Sequence, residues 1–162
     1  MQIRPLLMGI LFILFSCFAR SARADFTIFL GVNDKPTLQL APGLALSFGL
    51  VIVGFEFEYV NTGANDAVAG KPSLQTGMGN LYVQTPDLAS GLQLYGTAGG
   101  GLYREQLGSF QKTHIGGNLG GGIKKTLTDT LQLRLDYRIF ILMGDPLRSR
   151  LQRFYVGLNV KF

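Results

Sequence analysis

The segment Leu131–Leu142 reads LQLRLDYRIFIL, and an apolar side chain occupies every second position in it. Leucine, tyrosine and isoleucine fill the odd-numbered positions. The even-numbered positions hold Gln132, Arg134, Asp136, Arg138 and Phe140 before the final leucine. A repeat of two residues places alternate side chains on opposite faces of a β-strand. The segment therefore predicts a strand with one apolar face and one largely charged face.

Seven further segments alternate in the same way, some of them diluted by glycine. Most are long enough to cross a bilayer at a tilt, which takes about 9–11 residues. The eight predicted strands are Phe26–Val32, Leu38–Phe48, Val51–Tyr59, Gln75–Gln84, Leu92–Tyr103, Ile115–Lys125, Leu131–Leu142 and Phe154–Phe162.

The composition agrees with a β protein whose surface is unusually apolar. The chain has 162 residues, of which 47% are hydrophobic and 15% charged, against about 25% charged in an ordinary soluble domain. This much apolar surface excludes a charged disordered chain. The 22 glycines argue against helices, since each interior glycine costs a helix about 1 kcal/mol relative to alanine. The sequence contains no run of 18 or more apolar residues, so we do not expect a transmembrane helix.

The first 24 residues have the features of a secretory signal peptide. Arg4 supplies the positive start, Leu6–Ala19 the apolar run, and Ala22-Arg23-Ala24 a cleavage site with small residues at both ends. An uncleaved helical anchor is disfavoured, because this apolar run is short for a bilayer of about 30 Å. A lipoprotein anchor at Cys17 is the weaker alternative. The predicted domains are therefore a signal peptide, residues 1–24, and a barrel, residues 25–162.

Cleavage changes the charge of the chain. The leader contains three of the 15 basic residues and none of the 10 acidic ones, so the net charge falls from +5 to +2. Nucleic-acid binding thereby loses its main support. Cys17 is the only cysteine, and its removal leaves no disulfide and no thiol nucleophile.

The connections between the predicted strands alternate between long and short, which is typical of an outer-membrane barrel. The longer ones are Asn33–Thr37, Asn61–Ser73, Arg104–Thr113 and Gly144–Ser149. The predicted fold is an eight-stranded antiparallel up-and-down transmembrane β-barrel with both termini in the periplasm. At the turn Gly49-Leu50 we expect a two-residue hairpin that pairs Phe48 with Val51. Pro42 fits a closed barrel badly, so we expect either a bulge there or a strand that begins after it.

The last eight residues, Tyr155–Phe162, read YVGLNVKF. They resemble the C-terminal sorting signal of small bacterial outer-membrane barrels, the OmpA-like and OmpX-like group often called the porin family. Tyr155, Gly157, Val160 and Phe162 match the signal position by position, with tyrosine as a semi-polar first member. The resemblance implies recognition by the barrel assembly machinery and a location in the outer membrane of a Gram-negative cell. The peptidoglycan-binding domain of OmpA is absent from this sequence.

Charged residues of two predicted strands are expected to meet inside the barrel. Glu56 and Glu58 share one face of the third strand, and Arg134, Asp136 and Arg138 share one face of the seventh. These strands lie opposite each other in an eight-stranded barrel, whose interior is about filled by side chains. We favour a static ion-paired plug over a charged gate in a narrow ion path. Glycoside hydrolysis by the paired carboxylates is disfavoured, because the arginines opposite make ion pairs the simpler interpretation.

Basic residues cluster near the predicted outer loops. They are Arg104, Lys112, Arg148, Arg150 and Arg153. They suit the phosphates of lipopolysaccharide, and the alternative is ordinary solvated charge with side chains that reach the interface.

Other candidate sites are rejected. His114 is the only histidine, and Ile115-Gly116 follows it instead of the His-x-Ser pair of lipid A deacylases. With no mature cysteine, a transition-metal site is not expected, and no cofactor is expected. The glycines of Gly117–Gly122 lack the lysine and hydroxyl residue of a phosphate-binding loop. We interpret the glycine-rich region, residues 91–122, as room for aromatic side chains, a tight bend or a lateral opening.

The expected role is non-enzymatic, as a structural or surface-interaction protein of the outer membrane. Its expected partners are membrane lipid, lipopolysaccharide and the barrel assembly machinery, without nucleic acid, and it is expected to be a monomer. Two alternatives stay open: a narrow porin for small solutes or ions, and a soluble periplasmic lipid-binding barrel. The second reverses the faces and places Glu56, Arg134 and Arg138 outside.

Overall fold

The computed structural model describes residues 23–34, 38–63, 72–88, 90–107, 109–144, 146 and 149–162. The predicted signal peptide lies outside the described residues, except for Arg23 and Ala24. These two residues begin the first strand, where they pair with Gly49 and Phe48. Cleavage after Ala24 stays a prediction, and it would shorten this strand by two residues.

The described chain forms a closed antiparallel barrel in which each strand pairs with the next and the last pairs with the first. The prediction of eight strands in this arrangement is confirmed, and the bounds of the seventh are as predicted. The strands are β1 (Arg23–Asn33), β2 (Gln39–Gly49), β3 (Val53–Thr62), β4 (Ser73–Gln84), β5 (Leu92–Leu107), β6 (Phe110–Thr126), β7 (Leu131–Leu142) and β8 (Arg150–Lys161). We call the end that contains both termini the terminal end, and the opposite end the loop end.

Strands β5 and β6 extend further than predicted. The predicted loop Arg104–Thr113 is wrong, because the two strands pair as far as Leu107 and Phe110. Beyond Tyr103 polar residues occupy both faces, so the sequence loses the alternation that indicates a strand. Backbone pairing between antiparallel neighbours does not depend on that alternation. The hairpin therefore continues past the apolar part of the barrel.

Pro42 lies within β2 without a bulge, so both expectations for this residue are wrong. The β1–β2 register runs unbroken through the pair of Leu30 and Pro42. The pairing of β2 with β3 begins only at Gly43. Pro42 therefore lies where β2 has one paired neighbour, and its missing N–H interrupts no ladder on the β3 side.

The predicted two-residue turn between β2 and β3 is also wrong. Phe48 pairs with Phe55 and not with Val51. The connection is Leu50–Ile52, where the backbone N–H of Leu50 donates to the carbonyl of Val53 at 2.8 Å. The register differs from the prediction by an even number of residues, so each side chain stays on its predicted face.

The two faces of the barrel differ sharply in polarity. Large apolar side chains project outward, and many are more than half exposed, such as Ile28, Phe55 and Leu119 at 61–63%. Inward positions hold buried polar and charged residues, among them Glu56 and Arg138. An apolar exterior around a polar interior is the arrangement of a membrane barrel. The reversed faces of a soluble lipid-binding barrel are therefore excluded.

Glycines on the inner face make room for the side chains that fill the barrel. A methyl group at Gly122 would lie 2.7 Å from the hydroxyl of Tyr95. A methyl group at Gly43 would lie 2.5 Å from the ring of Phe29. The pairing of β5 with β6 is continuous from Leu92 to Leu107. The glycine-rich region therefore provides space inside the barrel, and no lateral opening separates β5 from β6.

Candidate functional site

The charged residues predicted on β3 and β7 all point into the barrel. Glu56 and Glu58 alternate with exposed neighbours on β3, as Arg134, Asp136 and Arg138 do with partly or largely exposed neighbours on β7. Three strands lie between β3 and β7 on each side of the closed barrel, so these residues approach from opposite walls. The structure brings all five side chains together at mid-height. We call these five residues the central cluster.

Arg138 contacts every carboxylate of the central cluster. Its Nη2 lies 2.6 Å from Oε1 of Glu56 and 2.8 Å from Oδ2 of Asp136. Its Nη1 lies 2.8 Å from Oε2 of Glu58. The side chain is fully buried, and the planar guanidinium group presents donors in several directions. Arg138 therefore joins β3 to β7 across the interior.

Arg134 forms a second bridge across the same space. Its Nη1 lies 2.5 Å from Oε2 of Glu56, and its Nη2 lies 2.8 Å from Oδ2 of Asp136. Its Nε donates to the hydroxyl of Tyr95 at 2.8 Å, and that hydroxyl donates to Oδ2 of Asp136 at 2.6 Å. Ser47 completes the shell of Glu56 by donating to Oε2 at 3.2 Å. The side chains of four strands thus hold the cluster in place.

Arg153 belongs to the interior, so its prediction as a lipopolysaccharide-facing residue is wrong. Its side chain is 0% exposed. Its Nε donates to Oδ1 of Asn33 at 2.6 Å, and its Nη1 lies 3.6 Å from Oε1 of Glu58. The alternation of β8 carried this signal, because Arg153 has the same parity as the inward Tyr155. The prediction placed Arg153 at the surface because it lies close to a predicted loop in the sequence.

Two tyrosines that sequence reasoning did not assign to the charged interior are part of it. Tyr95 links Arg134 to Asp136, as described above. Tyr155 was singled out only for the sorting signal, yet it is 2% exposed and its hydroxyl donates to Oε1 of Glu58 at 2.7 Å. A buried tyrosine usually finds a hydrogen-bond partner for its hydroxyl. In the sequence, the signal for such partners is a tyrosine at an inward position of its strand.

A hydrogen-bonded layer fills the barrel between the central cluster and the terminal end. Thr27 donates to Oδ1 of Asn159 at 2.7 Å, and Asn159 donates to Oε1 of Gln132 at 2.9 Å. Lys124 donates to Oε1 of Gln84 at 3.2 Å, so the first two contacts link β1, β8 and β7, and the third links β6 to β4. This layer therefore crosses the interior on the terminal side of the central cluster.

An apolar layer lies in the interior at the loop end of the described barrel. It consists of Leu74, Met78, Tyr103, Phe140, Leu142 and Leu151, all buried. The guanidinium carbon of Arg153 lies 4.5 Å from the ring centre of Phe140, so this layer stacks directly on the charged one. We call it the outer apolar layer.

The other basic residues predicted to face lipopolysaccharide do not form one patch. Arg104 is exposed on β5 and Arg150 is exposed on β8, with β6 and β7 between them. Lys112 lies on β6 with its side chain partly buried, opposite Glu105. Arg148 lies outside the described residues.

The residues of the predicted sorting signal divide between the two faces of β8. Tyr155 and Gly157 point inward, whereas Val160 points outward. Phe162 is 73% exposed, and its N–H donates to the carbonyl of Ala24 at 2.9 Å. Recognition by the assembly machinery stays a prediction.

Three further observations concern metal binding, membrane helices and His114 in the described part of the chain. Among the described residues, no group of three histidine, cysteine, aspartate or glutamate side chains is arranged to hold a metal ion. Within the same part of the chain, no helix has the length and apolarity needed to cross a membrane. The polar ring of His114 lies against Gly144, where an added methyl group would be 2.5 Å from Nδ1.

The central cluster is electrically balanced when Arg153 is included. Three carboxylates face three guanidinium groups, and each has an opposite charge within 4 Å. A cavity of about 10 Å³ beside it, lined by residues including Phe29, Glu58 and Asp136, has room for about one water molecule. The arrangement therefore neutralises buried charge and occupies the cross-section of the barrel.

No protein-family model matches the chain, and no curated protein matches it. Solved structures do. Neisserial surface protein A matches with a TM-score of 0.71 at 17% identity, over 87% of this chain and 97% of that one. The N-terminal β-barrel domain of OprF from Pseudomonas aeruginosa matches with a TM-score of 0.62 at 14% identity, over 86% and 97%. Ail, the attachment invasion locus protein of Yersinia pestis, matches with a TM-score of 0.52 at 11% identity, over 88% and 99%. The chain therefore has the fold of the small eight-stranded outer-membrane β-barrels, as its sequence predicts.

Proposed function

We propose that the protein is a non-enzymatic barrel of the Gram-negative outer membrane with a sealed interior and a structural or surface-interaction role. The observation that carries the proposal is the close ion pairing within the central cluster. Arg138 and Arg134 together make five ion contacts of 2.5–2.8 Å with Glu56, Glu58 and Asp136. Ions entering this space would have to displace contacts that compensate buried charge, and breaking such a pair costs about 3–5 kcal/mol.

The outer apolar layer supports the same proposal independently. Water and ions would have to pass Phe140 and Leu142 after leaving the charged layer, and both side chains are less than 4% exposed. Apolar constrictions resist hydration and thereby block ion passage. The interior thus has two barriers of different chemistry in series.

Conductance in planar bilayers tests this proposal against the narrow porin. Purified barrel is reconstituted into vesicles that are fused with the bilayer, co-purification of the barrel with the vesicles checks its insertion, and heat-modifiable gel mobility checks its folding. We expect no resolved openings from the wild-type chain. Stepwise wild-type openings whose conductance changes with Glu56→Gln would overturn the sealed interior in favour of a charged ion path.

The surface role is proposed to include contact with the phosphates of lipopolysaccharide. The exposed arginines Arg104 and Arg150 lie at the loop end, on opposite sides of the β6–β7 pair, and they contact the lipid separately. Arg148→Ala combined with Arg150→Ala should lower the amount of lipopolysaccharide that co-purifies with the barrel. Lys161→Ala at the terminal end is the matched control, and unchanged retention in the double variant would contradict this contact.

Biogenesis is proposed to depend on the sorting signal at the chain end, read by the barrel assembly machinery, and the mature barrel is proposed to be a monomer. Support comes from the exposed position of Phe162 beyond the last strand. An accessible terminal aromatic residue is available to a recognition surface before and during barrel closure.

A further inference from the structure

An apolar groove lies on the outside of the barrel at the terminal end of β1, β2 and β3. Its volume is about 410 Å³. Its lining comprises Arg23, Ala24, Phe48, Gly49, Leu50, Val53, Gly54 and Phe55. Ala24 pairs with Phe48, and Phe48 pairs with Phe55. Because the side chain of Ala24 is small and lies in line with the large rings of Phe48 and Phe55, the surface is concave at this position.

The turn beside the groove is apolar and exposed. It consists of Leu50, Val51 and Ile52, of which Val51 is 39% and Ile52 51% exposed. Turns in water favour glycine, proline, asparagine, aspartate and serine, and the β6–β7 turn at the same end contains Thr128 and Asp129. Three consecutive apolar residues in a turn are stable where the surroundings are lipid and not water.

The groove is continuous with the lipid-facing surface of the barrel. Phe48, Val53 and Phe55 line the groove and are 41–61% exposed on the outward face. Arg23 is the only charged residue among the lining residues. The occupant that matches an apolar concavity opening onto lipid is therefore a hydrocarbon chain.

We propose that this groove binds one acyl chain of a phospholipid in the periplasmic leaflet, and that the β2–β3 turn is embedded in that leaflet. The proposal rests on the barrel spanning a membrane with its termini in the periplasm. Cleavage after Ala24 would remove Arg23 and Ala24, but the lining that β2, β3 and their turn supply would remain. The groove of the cleaved chain would therefore lack its β1 wall and keep the walls that β2, β3 and their turn supply.

A matched pair of valines tests the groove. Val53 on β3 pairs directly with Val83 on β4, and both are lipid-facing, at 41% and 52% exposure. Val53 lines the groove, whereas Val83 does not. Val53→Trp should fill the groove, and Val83→Trp should leave it open. Native mass spectrometry of the folded, detergent-released barrels should show one retained phospholipid fewer for Val53→Trp than for Val83→Trp and wild type. Equal retention in all three would overturn a specific site.

The absence of tryptophan from the sequence allows a second test, of the embedded turn. Ile52→Trp and Thr128→Trp each introduce one fluorophore, at the β2–β3 and β6–β7 turns respectively. In vesicles of phosphatidylglycerol and phosphatidylethanolamine with brominated acyl chains, fluorescence at position 52 should be quenched strongly and fluorescence at position 128 weakly. Quenching at position 52 by aqueous iodide and not by bromine would overturn the proposal, because it would place the turn in water.

These tests separate the groove from the proposed function. A barrel that failed to reach or fold in the membrane would show unfolded gel mobility in every variant. A barrel that conducted ions would still retain or lose the phospholipid according to the state of Val53.

Discussion

Replacing Arg138 with glutamine removes the cation that contacts Glu56, Glu58 and Asp136 together. Glu56 and Asp136 keep Arg134 at 2.5–2.8 Å. Among the described residues, Glu58 keeps Arg153, at 3.6 Å, and the hydroxyl of Tyr155. The main deficit is therefore one buried carboxylate without a close counter-charge.

The size of the effect follows from that deficit. Removing one partner of a buried ion pair costs about 3–5 kcal/mol. A loss of this size lowers the ratio of folded to unfolded barrel by at least about a hundredfold. Glu58→Gln on the Arg138→Gln background neutralises the orphaned carboxylate. The double variant should therefore recover part of the lost free energy of unfolding. The coupling free energy between the two substitutions should be about 0.5–3 kcal/mol.

Urea titration of the barrel in lipid vesicles measures these free energies, with the band shift between folded and unfolded forms as the signal. The series is wild type, each single variant, the double variant and Arg150→Gln. Arg150 is exposed at the loop end, so its substitution controls for the loss of an arginine as such and should leave the midpoint near wild type. A midpoint for Arg138→Gln equal to wild type, or strictly additive single effects, would show that the ion pair of Arg138 and Glu58 does not stabilise the folded barrel.

Three further predictions concern packing and assembly. Gly43→Ala should lower the free energy of unfolding by about 1–3 kcal/mol by overpacking, because its methyl group would lie 2.5 Å from the ring of Phe29. In the same urea titration Gly77→Ala should leave the free energy of unfolding unchanged, since nothing lies within 4 Å of its methyl group. Equal effects of the two substitutions would contradict the faces assigned to these glycines. Phe140→Ala should cost about 3–5 kcal/mol through the cavity it leaves in the outer apolar layer, and an unchanged midpoint would show that the layer is loosely packed. Phe162→Ala should reduce the folded barrel recovered from outer-membrane fractions while refolding in detergent stays normal; wild-type recovery would remove the sorting role.

The architecture was predictable because lipid imposes a simple rule on each strand. An outward side chain in a bilayer is apolar, so Leu131–Leu142 shows its faces and its bounds without any tertiary information. The same rule explains the errors. Above the lipid boundary the rule stops, and the paired residues Arg104 and Thr113 resemble a loop although they continue the β5–β6 hairpin. A periodic pattern also determines which face Phe48 lies on, but not which residue of β3 it pairs with. The predicted partner of Phe48 was therefore wrong, and it differed from the observed one by an even number of residues.

The central cluster was predictable for a related reason, and its surroundings were not. Opposite positions of β3 and β7 follow from counting eight strands, which brings Glu56 towards Arg134 and Arg138. The contacts of Arg153 and Tyr155 depend on strand tilt and register, which set the height of each inward side chain. Parity alone does not supply that height, so a residue near a predicted loop was assigned to the surface although it reaches Glu58.

We propose that the outward residues of the barrel face lipid and that its inward residues fill a sealed interior. Phe154→Trp and Phe140→Trp place the single tryptophan of the chain at an outward position, 54% exposed, and at an inward one, 0% exposed. In vesicles with brominated acyl chains, we expect strong quenching of the fluorescence at position 154 and little at position 140. Strong quenching at position 140 with weak quenching at position 154 would show that the two faces of the barrel are reversed.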